Sequence, residues 1–236
     1  MIKMRIFALS DPHLSTVTDK PMNVFGMRWQ EHDIRIKENW IKNINEDDIV
    51  LIPGDLSWGL KFEEVIPDLE WISKLPGLKL ITKGNHDLWW TSLKRLNSLF
   101  DNMIFLHNNH YDAGGIAICG TRGWTIPQMS QEWTDHDEKI FRRELLRLDA
   151  ALQSAQKTDP EKIIVAMHYP PTDYRGHNTA FTDVIEKYNV SDVVYGHLHG
   201  NDASKSAFNG KKAGIRYRLV SSDCINFCPQ LIYEKE

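Results

Sequence analysis

The chain is poor in cysteine, in long apolar runs and in any block of like charge. Cys119, Cys224 and Cys228 are its only cysteines. An odd count without a C-x-x-C pair offers no even disulfide framework and points to a reducing compartment. Cys224 and Cys228 have no further cysteines with which to complete a zinc site, so they read as small apolar side chains near a C-terminal strand. The apolar runs at 6–9, 49–52 and 163–167 fall far short of the ~20 residues of a membrane helix, and the first is too short for a signal-peptide core. A cytoplasmic, soluble protein with no membrane partner is expected.

Lysine and arginine number 28 against 32 aspartates and glutamates, a formal charge of −4, and the two signs are interspersed. The absence of a basic stripe argues against strong non-specific binding of duplex nucleic acid. It leaves room for a local basic pocket that takes one phosphate. No repeat, no Gly/Ser- or Pro-rich linker and no shift of composition divides the 236 residues, so residues 1–236 are expected to form one domain.

What does recur is a short apolar run that ends in polar residues. Residues 4–9 lead into Asp11 and His13, residues 49–52 into Gly54-Asp55, and residues 78–81 into Gly84-Asn85-His86-Asp87. Residues 163–167 run into His168, and residues 193–195 into Gly196-His197-Leu198-His199. Between these runs lie helical patterns, with Trp29, Ile36, Trp40 and Ile44 on one face and Phe141, Leu145, Leu148, Leu152 and Ala155 on another. Residues 63–75 also read as a helix, with Pro67 in its first turn. Strands alternating with helices predict an α/β fold with parallel pairing, and strand-rich segments at 104–105, 116–119, 215–220 and 230–233 add antiparallel or mixed sheet. Ligands of such sheets gather at the carboxyl ends of the strands, where all five polar clusters fall.

One cluster alone is weak, because Asp-x-His or Gly-Asp more often serves a turn or a cap. His197 and His199 carry more weight: one residue apart on an extended segment, their side chains point the same way and address one site or two adjacent ions.

Taken together and in order, D-x-H, G-D, G-N-H-D, a lone His and G-H-x-H, this chain resembles the calcineurin-like metallophosphoesterases over residues 11–199. The resemblance implies a four-layer α/β/β/α sandwich with two mixed β-sheets. It also implies two divalent metal ions, with Asp55 between them, Asp11, His13 and His199 completing the ligands of the first, and Asn85, His168 and His197 those of the second. Oxygen and imidazole donors in this ratio suit Mn, Fe or Zn better than Ca or Mg. The implied activity is hydrolysis of a phosphomonoester or phosphodiester by a hydroxide held between the ions. His86 would protonate the leaving oxygen and Asp87 would orient His86 or favour its protonated form. A small phosphorylated metabolite or nucleotide is the expected substrate; the alternatives are a nuclease acting on the same type of bond and a non-catalytic scaffold.

The remaining polar and aromatic residues divide less sharply. Arg122, and Arg175 with His177, sit in loops after strand-like runs and are candidate phosphate contacts, balanced against surface ion pairs. Trp58, Trp89 and Trp90 follow the metal motifs and either wall the substrate pocket or pack a core. His136, between Asp135 and Asp137, reads as a helix start capped by Thr134 or Asp135, with Glu138 completing a capping box. His32, His107 and His110 read as ordinary histidines. Residues 14–30 and 121–137 are long connections and are the candidates for a substrate-selecting wall or lid.

Overall fold

The structure, a computed structural model, describes residues 4–130 and 132–235. Eleven strands make up two sheets. In chain order they are β1 (Met4–Ala8), β2 (Ile49–Ile52), β3 (Leu78–Thr82), β4 (Met103–Leu106), β5 (His110–Asp112), β6 (Ile116–Thr121), β7 (Lys162–Met167), β8 (Val190–Tyr195), β9 (Gly210–Lys212), β10 (Ile215–Leu219) and β11 (Gln230–Lys235). The helices are α1 (His32–Asn43), α2 (Phe62–Ser73), α3 (Leu93–Leu96), α4 (Asp135–Gln156), α5 (Ala180–Ile185) and α6 (Gly200–Ser206).

One sheet has the order β11-β1-β2-β3-β4 and the other β5-β6-β7-β8-β10-β9. Each is parallel in its middle, β1 to β4 in the first and β6, β7, β8 and β10 in the second, with an antiparallel strand or strands at the margins. The sheets are therefore mixed, as the sequence predicts.

Side-chain alternation explains the layers. Ile6 and Ala8 of β1, Leu51 of β2, Ile164 and Ala166 of β7 and Val194 of β8 share one core between the sheets. Their neighbours point the other way: Phe7, Val50 and Ile52 pack with Ile36, Trp40, Leu69 and Ile72 of α1 and α2. Val165, Met167 and Val193 pack with Leu148, Leu152 and Phe181 of α4 and α5. Strands buried on both faces read as unbroken apolar runs for this reason. Each such side chain contributes about 1.5–3 kcal/mol of burial. Three cores separate four layers, the α/β/β/α sandwich.

Two local expectations shift. Helix α4 does start at the Asp135-His136-Asp137 cluster, but Thr134 is the cap and Asp137, not Glu138, reaches back, its carboxylate accepting from the Thr134 N–H at 3.1 Å. Helix α2 begins one residue earlier than the pattern indicated, so Pro67 falls in the second turn. There Glu64 accepts from the N–H groups of Leu60 and Lys61, at 2.9 and 3.2 Å, and secures the helix entry.

The parallel strands point their carboxyl ends to one edge of the sandwich. β1, β2, β3, β7 and β8 all deliver their motif residues there, and β10 delivers Ser221, Ser222 and Asp223 beside them.

Candidate metal centre

Asp11, His13, Asp55 and His197 all adopt left-handed backbone conformations, with φ of 56°, 47°, 51° and 72°. Such strain in non-glycine residues persists only where the surroundings over-determine it, and it gathers at functional sites. Here the loops bind one another: Asp11 N–H donates to the Gly54 carbonyl at 3.0 Å and His13 N–H to the Asp55 carbonyl at 3.1 Å. The His197 N–H donates to the Asp11 carboxylate at 3.1 Å and the His86 N–H to that of Asp55 at 2.8 Å. Gly84 is required by proximity, since a Cβ there would stand 2.0 Å from Asp55 Oδ1. At Gly196 a Cβ would stand 2.2 Å from Asp11 Oδ2.

The seven residues implied as ligands converge. Asp11, His13 and His199 offer donor atoms within 4.8 Å of one another, as do Asp11, Asp55 and His168. Asn85 and His197 join the second set: Asn85 Oδ1 lies 2.7 Å from His168 Nε2 and 2.9 Å from His197 Nδ1. Asp55 Oδ2 lies between the imidazoles of the two sets, 3.9 Å from His13 Nε2 and 3.5 Å from His168 Nε2.

Proton placement shows that these donors suit a cation. His168 Nδ1 faces the Pro53 carbonyl at 3.0 Å, a group that only accepts, so Nδ1 carries the proton. Burial holds this imidazole's pKa below its usual value, so Nε2 presents a lone pair toward the Asn85 oxygen. Two acceptors 2.7 Å apart need a positive centre beside them. His199 also has a backing group: Nδ1 donates to Asp223 Oδ1 at 2.9 Å, and Nε2 stands 3.3 Å from His13 Nε2 and 3.5 Å from Asp11 Oδ1. The backing group of a metal-bound histidine fixes its tautomer in this manner.

The carboxylates give the same reading. Burial, followed by the charge of Asp11, pushes Asp55 up to about 8. Burial opposes ionisation of Asp11 as well, but the hydrogen bond and charge of His199 outweigh it and hold the carboxyl well below its usual range. His199 is raised to about 10: burial works against its charge, and the hydrogen bonds to Asp11 and Asp223 prevail. Burial lowers His197 to about 3 and His13 well below the ordinary value. Asp55 and His199 hold protons tightly here beside imidazoles that burial keeps neutral, and a divalent cation would take the place of those protons on the carboxylate and imidazole donors.

Asp87 does something other than the resemblance implies. Its buried carboxylate accepts from Asp55 N and Gly84 N at 2.9 and 2.7 Å, and from Leu56 N and Trp89 Nε1 at 3.0 and 3.2 Å. All its acceptor directions are spent on backbone and indole, so it ties the β2 and β3 loops together and does not orient the His86 ring. The His86 ring instead packs on Trp58, with centroids 4.4 Å apart, and burial lowers its pKa.

A cavity of about 720 Å³ opens onto the ligand set, lined by His13, Asp55, His86, His197 and His199 on one side. Met22, residues 25–29, Trp58, Gly200, Asn201 and Asp223 also line it, whereas none of the described residues of 121–137 does. Of the tryptophans, Trp58 stacks on the His13 ring at 4.7 Å and borders the cavity. Trp89 and Trp90 pack with Phe105 in the outer core.

The proposed phosphate contacts lie elsewhere. Arg122 is turned to buried Glu144 of α4, at 3.5 Å, and lies over the Trp124 ring. Arg175 lies over Tyr174, and the exposed His177 ring is 2.7 Å from Asp173. None of the three lines the cavity; the arginine that does is Arg28. Sequence reasoning also passed over Asp223, Trp29 and His32. Trp29 meets the rings of His13 and His199 at 5.9 and 5.5 Å, and His32 Nε2 lies 3.3 Å from the His13 carbonyl. The position of Trp29 within the long 14–30 connection, and of His32 just after it, was the available signal.

A family model described as calcineurin-like phosphoesterase matches residues 4–201. Gene 66 protein of Mycobacterium phage D29 is 31% identical over 77 residues, 31% of this chain and 38% of that protein. Gene 66 protein of Mycobacterium phage L5 is 41% identical over 58 residues, 25% of this chain and 28% of that protein. The chain thus spans well under half the length of these curated relatives. Among solved structures, phosphopantetheinyl hydrolase (PptH) from Mycobacterium tuberculosis shares the fold, with a TM-score of 0.59 at 13% identity, over 98% of this chain and 96% of that one. Protein AQ665 from Aquifex aeolicus gives a TM-score of 0.48 at 17% identity, over 97% and 95% of the two chains.

Proposed function

The chain belongs to the calcineurin-like phosphoesterase family, and from that premise we propose that it is a metal-dependent phosphohydrolase acting on a small phosphorylated molecule in the cytoplasm. The observation that carries this reading is the convergence of seven donor side chains from five strand ends, with Nε2 of both His168 and His199 turned into the set. The position of Asp55 Oδ2 between the two sets supports two ions, with Asp55 shared. The donor types favour Mn, Fe or Zn. The printed name of the PptH neighbour, a phosphopantetheinyl hydrolase, agrees with a phosphoester as the bond that is cut.

Divalent ions, held by Asp11, His13, Asp55, Asn85, His168, His197 and His199, would supply Lewis acidity toward the phosphoryl oxygens and an attacking water. The protein's own contribution is placement. Asp223 and the Pro53 carbonyl fix the tautomers of His199 and His168, so each presents Nε2 inward. Asp87 locks the loops that carry Asp55 and Asn85. Trp58 packs against the rings of His13 and His86. His86 lines the cavity and delivers a proton to the departing ester oxygen, drawing that proton from its surroundings once phosphate charge lies beside it. No protein nucleophile is needed.

The test is hydrolysis of para-nitrophenyl phosphate and bis-para-nitrophenyl phosphate by Mn-reconstituted protein, against the metal-free, Asp55→Asn and His86→Ala forms. Turnover that needs metal and falls with both substitutions establishes the reaction, and the preferred surrogate separates monoester from diester. Full metal occupancy with no turnover of either, or of nucleic acid, overturns it.

A further inference from the structure

The wall opposite the metal-ligand set is apolar and incompletely covered. Met22, Trp29 and Trp58 line its inner part, and Phe25 and Met27 stand at its rim, 66% and 79% exposed. Phe25 and Met27 flank Gly26, whose φ of 117° and ψ of 160° lie in a region that side-chain-bearing residues avoid. This fixes the two short 3-10 turns, Met22–Phe25 and Met27–Trp29, in an angle that turns both large side chains to the cavity. Two large apolar side chains held at a concave site, open to water, gain free energy from an occupant that covers them.

The charged groups of the same wall face one another. Arg28 donates to the Asn201 side-chain oxygen and lies 3.6 Å from Asp223, and Asp223 accepts from His199 and from Gly200 N–H. The Trp58 indole N–H is turned to the Met22 sulfur at 3.0 Å. Met22, Phe25 and Met27 carry no side-chain donor to read the edge of a base or the hydroxyls of a sugar, which need hydrogen-bond partners in fixed directions. Methionine adapts to a flexible chain without defined shape.

We infer that the non-phosphate part of the substrate is a flexible apolar chain, laid against Met22, Phe25, Met27, Trp29 and Trp58 with its phosphoester toward the ligand set. This rests on the phosphohydrolase reading above. The chain continues directly from the reaction centre, so the same cavity holds both parts.

The probes are n-alkyl phosphates and n-alkyl para-nitrophenyl phosphates from ethyl to octyl for turnover, and n-alkylphosphonates of the same lengths for binding by calorimetry to the metal-reconstituted protein. Burial of each added methylene is expected to raise kcat/KM and phosphonate affinity about threefold, so octyl exceeds ethyl at least about a hundredfold. The Phe25→Ser/Met27→Ser double variant, altered only at exposed side chains, cuts that ratio at least tenfold with unchanged metal content. A ratio near one in the unaltered protein, or nucleoside 5′-monophosphates cleaved faster than the octyl ester, overturns the inference. A steep phosphonate ratio with no ester hydrolysed would sustain the apolar chain and sink the phosphohydrolase.

Discussion

The two halves of the ligand set are built from the same kinds of side chain and backed by different ones. On the cavity side, His199 rests on the carboxylate of Asp223 and His13 stacks on Trp58. On the inner side, His168 rests on the neutral Pro53 carbonyl, and His197 packs on Tyr169 with centroids 4.2 Å apart. A carboxylate behind an imidazole raises its basicity, and a carbonyl does so far less. Burial opposes the charge of both, and the carboxylates of Asp11 and Asp223 nevertheless hold His199 up to about 10, whereas burial leaves His168 below its usual value. Donor identity alone does not set how the two halves behave; what stands behind each donor does.

Four substitutions probe this contrast, in falling order of effect. Asp55→Asn removes the carboxylate lying between the halves and should lower kcat by more than about a hundredfold, beyond the usual cost of a lost backing group; metal analysis should show both sites weakened. Gly84→Ala drives a Cβ into Asp55 and should affect both halves as well, with about 1–3 kcal/mol lost in denaturant unfolding, as for other overpacked sites. Asp223→Asn should discriminate between the halves. It is expected to weaken one ion about 10–100-fold and leave the other unchanged, so that calorimetric titration resolves two steps; equal weakening of both would erase the contrast. Arg122→Ala touches neither half. Its kinetics should match the unaltered protein, while loss of a partner for Glu144 costs about 1 kcal/mol and lowers Tm by about 2–4 °C.

Much of this was legible in the sequence because strand ends announce themselves. An apolar run closed by Asp, Asn or His needs only local information, and Asp11, Asp55, Asn85, His168 and His197 were each found that way. The four-layer fold followed from the resemblance, and the alternation of strands and helices agreed with it. Asp223 was missed because its neighbours Ser221, Ser222 and Cys224 form no recognisable pattern, and its partner His199 lies 24 residues away. Arg122 shows the converse. Its place after a strand suggested a phosphate contact, but the buried Glu144 of α4, invisible from the loop, claims the guanidinium. Asp87 fails for a third reason: one carboxylate can either orient a ring or cap loop amides, and only the fold decides where it is aimed.

The pairing of β1 with β11 and the joining of Ser10 to the 220–222 segment have a consequence for biosynthesis. Ser10 N–H donates to the Val220 carbonyl at 2.8 Å, and the Ser222 N–H and hydroxyl donate back to the Ser10 carbonyl at 2.9 and 2.6 Å. The first motif of the site is thereby held by a portion of the chain synthesised more than two hundred residues later. Chains emerge from the ribosome N-terminal end first, so Asp11 and His13 leave it long before the strand that braces them and before the Asp223 that seats His199. A nascent chain therefore carries Asp11 and His13 unsupported until residues 220–223 have followed. Truncation ahead of residue 220 would leave Ser10, at the entry to the Asp11–His13 loop, without that brace.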